Sequence, residues 1–132
     1  MKVTFTFKSP PAARLIAAAL AVVGAHACAA AGGVPLDPSD QKWASERWPG
    51  TTMSDLSRGH DVFVARCASC HGLPRPDAKS PDEWNVVLDE MGARAKLSAT
   101  DRELVNRYLS ATSQRLRSSS ARTQAGASTP AL

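Results

Sequence analysis

The stretch RCASCHG, from Arg66 to Gly72, decides how this chain of 132 residues folds. It contains two of the three cysteines, Cys67 and Cys70, and His71 directly follows the second. Two thiols with an adjacent imidazole have several uses in proteins, and each use makes a different demand on the neighbouring sequence. The residues around the motif therefore decide between those uses.

Four interpretations of the motif compete. A disulfide between Cys67 and Cys70 would close a loop too short to restrain the unfolded chain, and it would leave His71 without a role. A thioredoxin-like dithiol needs a preceding strand in a βαβ unit, and a structural zinc site needs a second pair of ligands. Neither is found, because no strand pattern precedes the motif and no Cys or His follows Gly72. The fourth interpretation is one haem c per chain, bonded to Cys67 and Cys70 through thioethers and ligated at its iron by His71.

Three segments around the motif have the caps and the periodicity of α-helices, whereas no stretch alternates for long enough to predict a strand. The first helix is predicted from SDLSRGHDVFVARC, with Ser54 and Asp55 as candidate N-caps. Gly59, Phe63 and Cys67 lie on one face of it, at intervals of four residues.

The second helix is predicted from SPDEWNVVLDEM. Ser80 and Glu83 form a capping box around Pro81, which occupies the first helical position. Gly92 is expected to end the helix. Its apolar face consists of Trp84, Val87, Leu88 and Met91.

The third helix is predicted from SATDRELVNRYLSAT, with Ser98 as its N-cap. Its buried face consists of Leu104, Val105, Tyr108 and Leu109. A segment of about sixty residues is near the limit at which a domain is stable without a disulfide, a bound metal or a similar additional constraint. A bound haem would bury apolar surface on the order of 10 kcal/mol, at about 25 cal/mol per Å². We therefore expect an all-α fold in which three main helices surround one covalent haem.

Met91 is the candidate for the second axial ligand, because it is the only donor of a suitable kind after His71. The residues from Gly72 to Ser80 span up to ~30 Å when extended, which is enough to carry the chain around the edge of a haem. Methionine is also a common core filler, so ordinary packing is the alternative for Met91. Met53 is the other candidate for this ligand, with packing in the linker as its alternative. His60 is interpreted as a solvated surface histidine.

Further expectations concern groups that support the haem. His71 needs an acceptor for its second ring N–H, and we expect a backbone carbonyl in the loop from Leu73 to Pro81. Trp84 and Arg75 are candidates for contact with a propionate, with plain packing or solvent exposure as the alternative.

The segment from Ser54 to Thr112 resembles a class I c-type cytochrome. The resemblance rests on Gly59 and Phe63 before the CASCH motif, and on the loop, Met91 and the last helix with Tyr108 after it. It is especially similar to small monohaem cytochromes whose helix after the motif begins with Trp and ends with the ligand Met. It differs from mitochondrial-type cytochromes in its shorter loop. The resemblance implies a small cytochrome c fold, whose first and last helices cross at near right angles with Gly59 against Tyr108.

Residues 1–27 are predicted to be a cleaved secretory signal. Three basic residues precede an apolar run of eleven residues, Leu15 to Ala25, and Ala-rich candidate cleavage sites follow. A run of this length fits a signal peptide, since a membrane span needs about twenty residues. Cleavage after Ala27 would make Cys28 the N-terminus, as in acylated bacterial lipoproteins. The alternative is that Cys28 is a small residue of the discarded signal. The expected location is the periplasm, either free or anchored to the membrane.

Residues 28–53 are interpreted as an N-terminal extension that wraps the domain or as a linker. Residues 54–112 are the expected cytochrome c domain, and residues 113–132 a disordered tail with too few apolar residues to fold. The formal charge of +4 comes from the two ends of the chain. Ten basic and twelve acidic residues lie between positions 34 and 112, a formal charge of −2. This balance does not suggest a nucleic-acid-binding protein, which would need basic residues concentrated on one folded face.

Together these features indicate an electron carrier rather than an enzyme. The iron would cycle between Fe(III) and Fe(II) while His71 and Met91 occupy both axial positions. A monomeric protein would dock transiently on redox partner proteins through a small interface. The alternatives are a haem enzyme or gas sensor with an open or labile sixth position, and an electron-entry subunit of a larger oxidoreductase.

Overall fold

The structure is a computed structural model that describes residues 33–127. Within these residues the chain forms four α-helices: α1, Pro38–Arg47; α2, Met53–Cys67; α3, Pro81–Arg94; and α4, Ala99–Ala127. A short 3-10 helix, Pro76–Ala78, precedes α3. Residues 33–127 contain no strand, so the expected all-α class is confirmed. The expected signal peptide, Cys28 and the last residues of the expected tail lie outside the described residues.

The N-cap of α2 is Thr52, two residues before the predicted Ser54. The Thr52 hydroxyl accepts a hydrogen bond from the Asp55 N–H, and the Asp55 carboxylate accepts one from the Thr52 N–H at 2.8 Å. Asp55 therefore closes a capping box from the third helical position, and the prediction of Ser54 or Asp55 as N-cap was wrong. The predicted capping box of α3, between Ser80 and Glu83, is confirmed.

Gly92 does not end α3 as the sequence predicted, since the helix continues to Arg94. The turn that follows contains Lys96 at φ 54°, the left-handed conformation in which glycine is the usual residue. The Leu97 N–H donates to the Gly92 carbonyl at 2.9 Å, which is the long hydrogen bond of a Schellman motif. A lysine has taken the position where a glycine was expected, and Gly92 is buried one turn earlier.

Helix α4 begins as predicted, with the Asp101 N–H donating to the Ser98 hydroxyl at 3.0 Å. It then continues to Ala127, so residues 113–127 are helical and the expectation of a disordered tail is corrected for them. Ala111, Thr112 and Ser113 are all buried, because α1 and the segment before α3 pack on this part of α4. These partners lie far away in sequence, and composition alone could not reveal them.

The buried apolar residues form two clusters along α4. The main core consists of Phe63, Trp84, Leu88, Val105, Tyr108 and Leu109. A second, smaller core joins α1, α2 and α4 through Ala44, Leu56 and Ala111, with Trp43 and Trp48 partly buried beside it. The segment before α2 therefore covers apolar surface instead of acting as a linker.

The closest approach between helices lies at Gly59 of α2. A Cβ atom at this position would lie 2.2 Å from the Leu104 carbonyl oxygen and 3.1 Å from the Cβ of Tyr108. The backbones of α2 and α4 are thus in direct contact, and only glycine fits between them. Gly59 meets Tyr108 as the resemblance implied.

The N-terminal segment is held to α4 by polar contacts at two places. The Tyr108 hydroxyl accepts from the Val34 N–H at 3.1 Å and donates to the Val34 carbonyl at 2.9 Å. Burial raises the pKa of Tyr108, so its hydroxyl stays protonated and able to donate. Further along α4, Arg115 Nε lies 2.8 Å from the carboxylate of Asp40, which is fully buried. Loss of one partner would leave a buried charge uncompensated.

The substitution Gly59→Ala tests the contact between α2 and α4. The added methyl group would overlap the Leu104 carbonyl, and backbone atoms cannot move aside as a side chain can. We expect the free energy of unfolding to fall by about 2–3 kcal/mol. Gly126→Ala is the matched control, because no atom lies within 4 Å of its added Cβ, and its effect should stay within about 0.5 kcal/mol. Equal denaturation midpoints for the two variants would contradict the contact.

Candidate functional site

The CASCH motif lies where α2 ends. Cys67 is the last residue of the helix, and Ala68 to His71 turn away from it. Cys67 is half-buried and packs against the main core, whereas Cys70 and His71 are exposed. The motif therefore spans the border between the core and the solvent, with one thiol on each side.

Both thiols of the motif are free, so the structure contains no disulfide between Cys67 and Cys70. Burial raises the pKa of the Cys67 thiol, and the neighbouring Cys70 raises it further. A redox-active dithiol instead needs a cysteine whose pKa is lowered, because the thiolate is the reactive form. Among residues 33–127, no group of three or more His, Cys, Asp and Glu side chains is placed to hold a metal ion.

The ring of His71 is oriented by its own backbone neighbour. Its Nδ1 lies 2.7 Å from the Gly72 carbonyl oxygen. A carbonyl can only accept, so Nδ1 carries the hydrogen in this contact and Nε2 of the neutral ring keeps its lone pair. This is the arrangement found in metal-ligating histidines, where the second nitrogen is hydrogen-bonded to a carbonyl or a carboxylate. The acceptor is Gly72, one residue before the loop in which it was expected.

Three apolar side chains in α2, α3 and the segment between them are only partly covered by the main core. Cys67, Leu73 and Val87 are all half-buried and all pack against the main core. On α3, Met91 lies one helical turn after Val87 and on the same face. Met91 is 37% exposed. It is therefore not the buried core filler that was the alternative for it.

Leu73 and Leu97 were not singled out from the sequence, although both pack against the main core as partly buried residues. Leu73 comes two residues after His71, and Leu97 lies in the turn after α3. An apolar residue in a polar loop was the available signal for both.

The other candidate ligands lie elsewhere. Met53 is the first residue of α2 and Cys67 the last, which separates them by about 20 Å at 1.5 Å per residue. His60 is not the solvated surface histidine that was expected, since its side chain is only 25% exposed. Its ring packs edge-on against Tyr108 at 5.2 Å, and its Nδ1 lies 3.0 Å from the Asp61 carboxylate.

The two candidates for contact with a propionate differ in what they bind. The indole N–H of Trp84 donates to the Pro76 carbonyl at 2.7 Å within the core, so it is already engaged in the structure. Arg75 is exposed and pairs with Asp77 at 3.0 Å. The hydrogen bond from Arg75 is the main cause that lowers the pKa of Asp77. Arg75 is thus the more accessible of the two donors.

The chain matches no protein-family model, and no curated protein or solved structure is significantly similar to it. Among the helices of residues 33–127, none combines the length and the apolar character that a membrane span requires.

The different exposure of the two thiols gives a prediction for the chain in which both are free. We expect iodoacetamide to alkylate the exposed Cys70 before Cys67, because the Cys67 thiol is half-buried and its pKa is raised. Peptide mass spectrometry on samples quenched at successive times would measure both rates, with denatured protein as the control in which they converge. Faster labelling of Cys67 in the folded chain would contradict the described arrangement.

Proposed function

We propose that this chain is an electron carrier that binds one haem c through thioethers at Cys67 and Cys70, with His71 as an axial ligand. The observation that carries the proposal is the donor set at the end of α2. Two unpaired thiols lie three residues apart, and the adjacent imidazole has its Nδ1 bound to a carbonyl. Covalent haem uses all three groups, whereas each of the other uses of the motif leaves at least one of them unexplained.

The half-buried apolar side chains around the main core are suited to contact with an apolar cofactor. Cys67, Leu73 and Val87 are partly covered by the main core and partly open to solvent. A porphyrin covering such a surface would bury more apolar area and add stability to a small core. The backbone contact at Gly59, with Tyr108 beside it, supports a small cytochrome c fold.

Met91 is the proposed second axial ligand. It is exposed, it follows Val87 by one turn, and α3 carries it on the face that packs toward the core. The bound haem would supply a one-electron exchange at its iron. A neutral thioether favours the reduced state and raises the reduction potential. With His71 and Met91 holding both axial positions, the two residues would exclude exogenous ligands.

The cellular part of the proposal follows from the same chemistry. We expect export to the periplasm, where haem c proteins exchange electrons with partner proteins through brief, small contacts. We also expect the carrier to be a monomer. The alternatives, a haem enzyme or gas sensor and an electron-entry subunit of an oxidoreductase, differ from it in the accessibility of the sixth position or in a stable partner.

The substitution Met91→Ala tests the axial ligand. In the exported protein we expect a low-spin haem with the weak near-infrared charge-transfer band of a sulfur–iron bond, and loss of that band in the variant. The potential should fall with loss of the thioether. Met53→Ala is the matched control, because Met53 lies at the opposite end of α2, and it should keep the band.

Two outcomes would contradict this assignment. A wild-type protein that is high-spin and binds carbon monoxide or cyanide readily would indicate an open sixth position and favour the enzyme or sensor. A band that survives in Met91→Ala but disappears in Met53→Ala would assign the ligand to the other methionine.

A further inference from the structure

A row of side chains on α4 holds the backbone of the segment that leads into α3. Ser110, Ser113 and Arg117 are spaced by three and four residues, so they lie on one face of the helix. The Ser110 hydroxyl donates to the Pro81 carbonyl at 3.2 Å. The Ser113 hydroxyl donates to the Lys79 carbonyl.

Two more donors extend this row. The guanidinium of Arg117 donates to the Asp77 carbonyl at 3.4 Å. From the other side, the Trp84 indole donates to the Pro76 carbonyl at 2.7 Å. Side chains thus hold four of the six carbonyls of residues 76–81.

The two serines are buried, which makes their hydrogen bonds important. Ser113 is 0% exposed and Ser110 is 1% exposed. The accepting carbonyls belong to Lys79, which is exposed, and Pro81, which is half-buried. Removing either hydroxyl therefore costs about the net contribution of one hydrogen bond, about 1 kcal/mol. The Ser113 contact is therefore the central one of the row, and Arg117, which is exposed, is the outermost.

The held segment is the covalent connection between the two proposed axial ligands. After His71 the chain passes through the 3-10 helix and enters α3 at Pro81, with Ser80 as N-cap. Met91 lies ten residues further along α3, about 15 Å away at 1.5 Å per residue. A small change in direction at the start of a rigid helix is therefore amplified at the Met91 sulfur.

We infer that Ser110, Ser113 and Arg117 are positioning residues that hold the segment before α3 and thereby set the place of the Met91 thioether. This inference rests on the proposed function, in which Met91 is an axial ligand. For Ser113 and Arg117, it assigns a role to residues that composition predicted to be disordered. The residues would act on the ligand through the backbone of residues 77–81, without contacting the haem.

The first test measures the held segment itself and does not depend on haem. Trypsin cleaves the Lys79–Ser80 peptide bond only when this segment opens, so the rate reports the open population when reclosing is fast. We expect Ser113→Ala to accelerate cleavage at this bond about fivefold, the factor that corresponds to about 1 kcal/mol. The matched control is Ser120→Ala, because the Ser120 hydroxyl bonds only to the Leu116 carbonyl of its own helix.

The second test measures the ligand in the exported haem protein. We expect Ser113→Ala to keep the haem content of the wild type. When the pH is raised, the sulfur–iron charge-transfer band of this variant should disappear at a lower pH than in the wild type. A fivefold larger open population of the segment corresponds to a shift of about 0.7 pH unit. Ser120→Ala should titrate as the wild type does. A role in stability alone would lower the denaturation midpoint without moving this titration.

A second pair of variants guards against failure of Ser113→Ala to fold. Arg117 and Arg122 are both exposed on α4, and Arg122 donates to the Ser119 hydroxyl of the same helix at 3.3 Å. We expect Arg117→Ala to accelerate Lys79–Ser80 cleavage and to lower the titration point, both by less than Ser113→Ala would. Arg122→Ala should change neither.

The outcomes separate the two proposals. If the wild type carries no haem, the proposed function fails, while the cleavage rates still show whether the row holds the segment. If haem is bound and Ser113→Ala and Arg117→Ala cleave like their controls, the row does not hold the segment and the inference is overturned. It is also overturned if cleavage accelerates while the band titrates as in the wild type.

Discussion

The structure depends on the direct backbone contact between α2 and α4 at Gly59. A Cβ atom added at Gly59 would lie 2.2 Å from the Leu104 carbonyl oxygen. Any residue other than glycine would therefore force the two helices apart. The contact brings Phe63 of α2 into the same core as Val105 and Tyr108 of α4. It also fixes the direction in which α2 ends, and so where the CASCH motif meets the core. The site is therefore a consequence of the helix packing.

Helix α4 organises the rest of the molecule. It packs against α1, α2, α3 and the 3-10 helix. Tyr108 and Arg115 hold the N-terminal segment on one side of it. On another side, Ser110 and Ser113 hold the segment that leads into α3. Helix α4 thus supports both the N-terminal segment and the segment that connects the proposed ligands.

The sequence predicted features that arise from neighbouring residues and missed features that arise from distant ones. The capping box of α3, the apolar faces and the helical class follow from local spacing, and they account for most of α3 and α2. By contrast, Asp40 looks like a surface residue of a polar helix and Arg115 like part of a polar tail. The burial of Asp40 depends on its pairing with Arg115, 75 residues away. The same limit explains His60, whose ring packs on Tyr108. Lys96 is a different case, because it takes the left-handed position at the end of α3 through local hydrogen bonds. At the candidate site, local spacing predicted the motif and Met91, while the donors on α4 could not be predicted.

The central claim is that a haem is bonded to Cys67 and Cys70, and the intact mass of the purified, exported protein tests it most directly. The mass should be measured before and after treatment of the denatured chain with an excess of iodoacetamide. The account predicts a mass increased by one haem, with neither motif cysteine available for alkylation. A folded, colourless protein without added mass, in which both cysteines are alkylated, would contradict it.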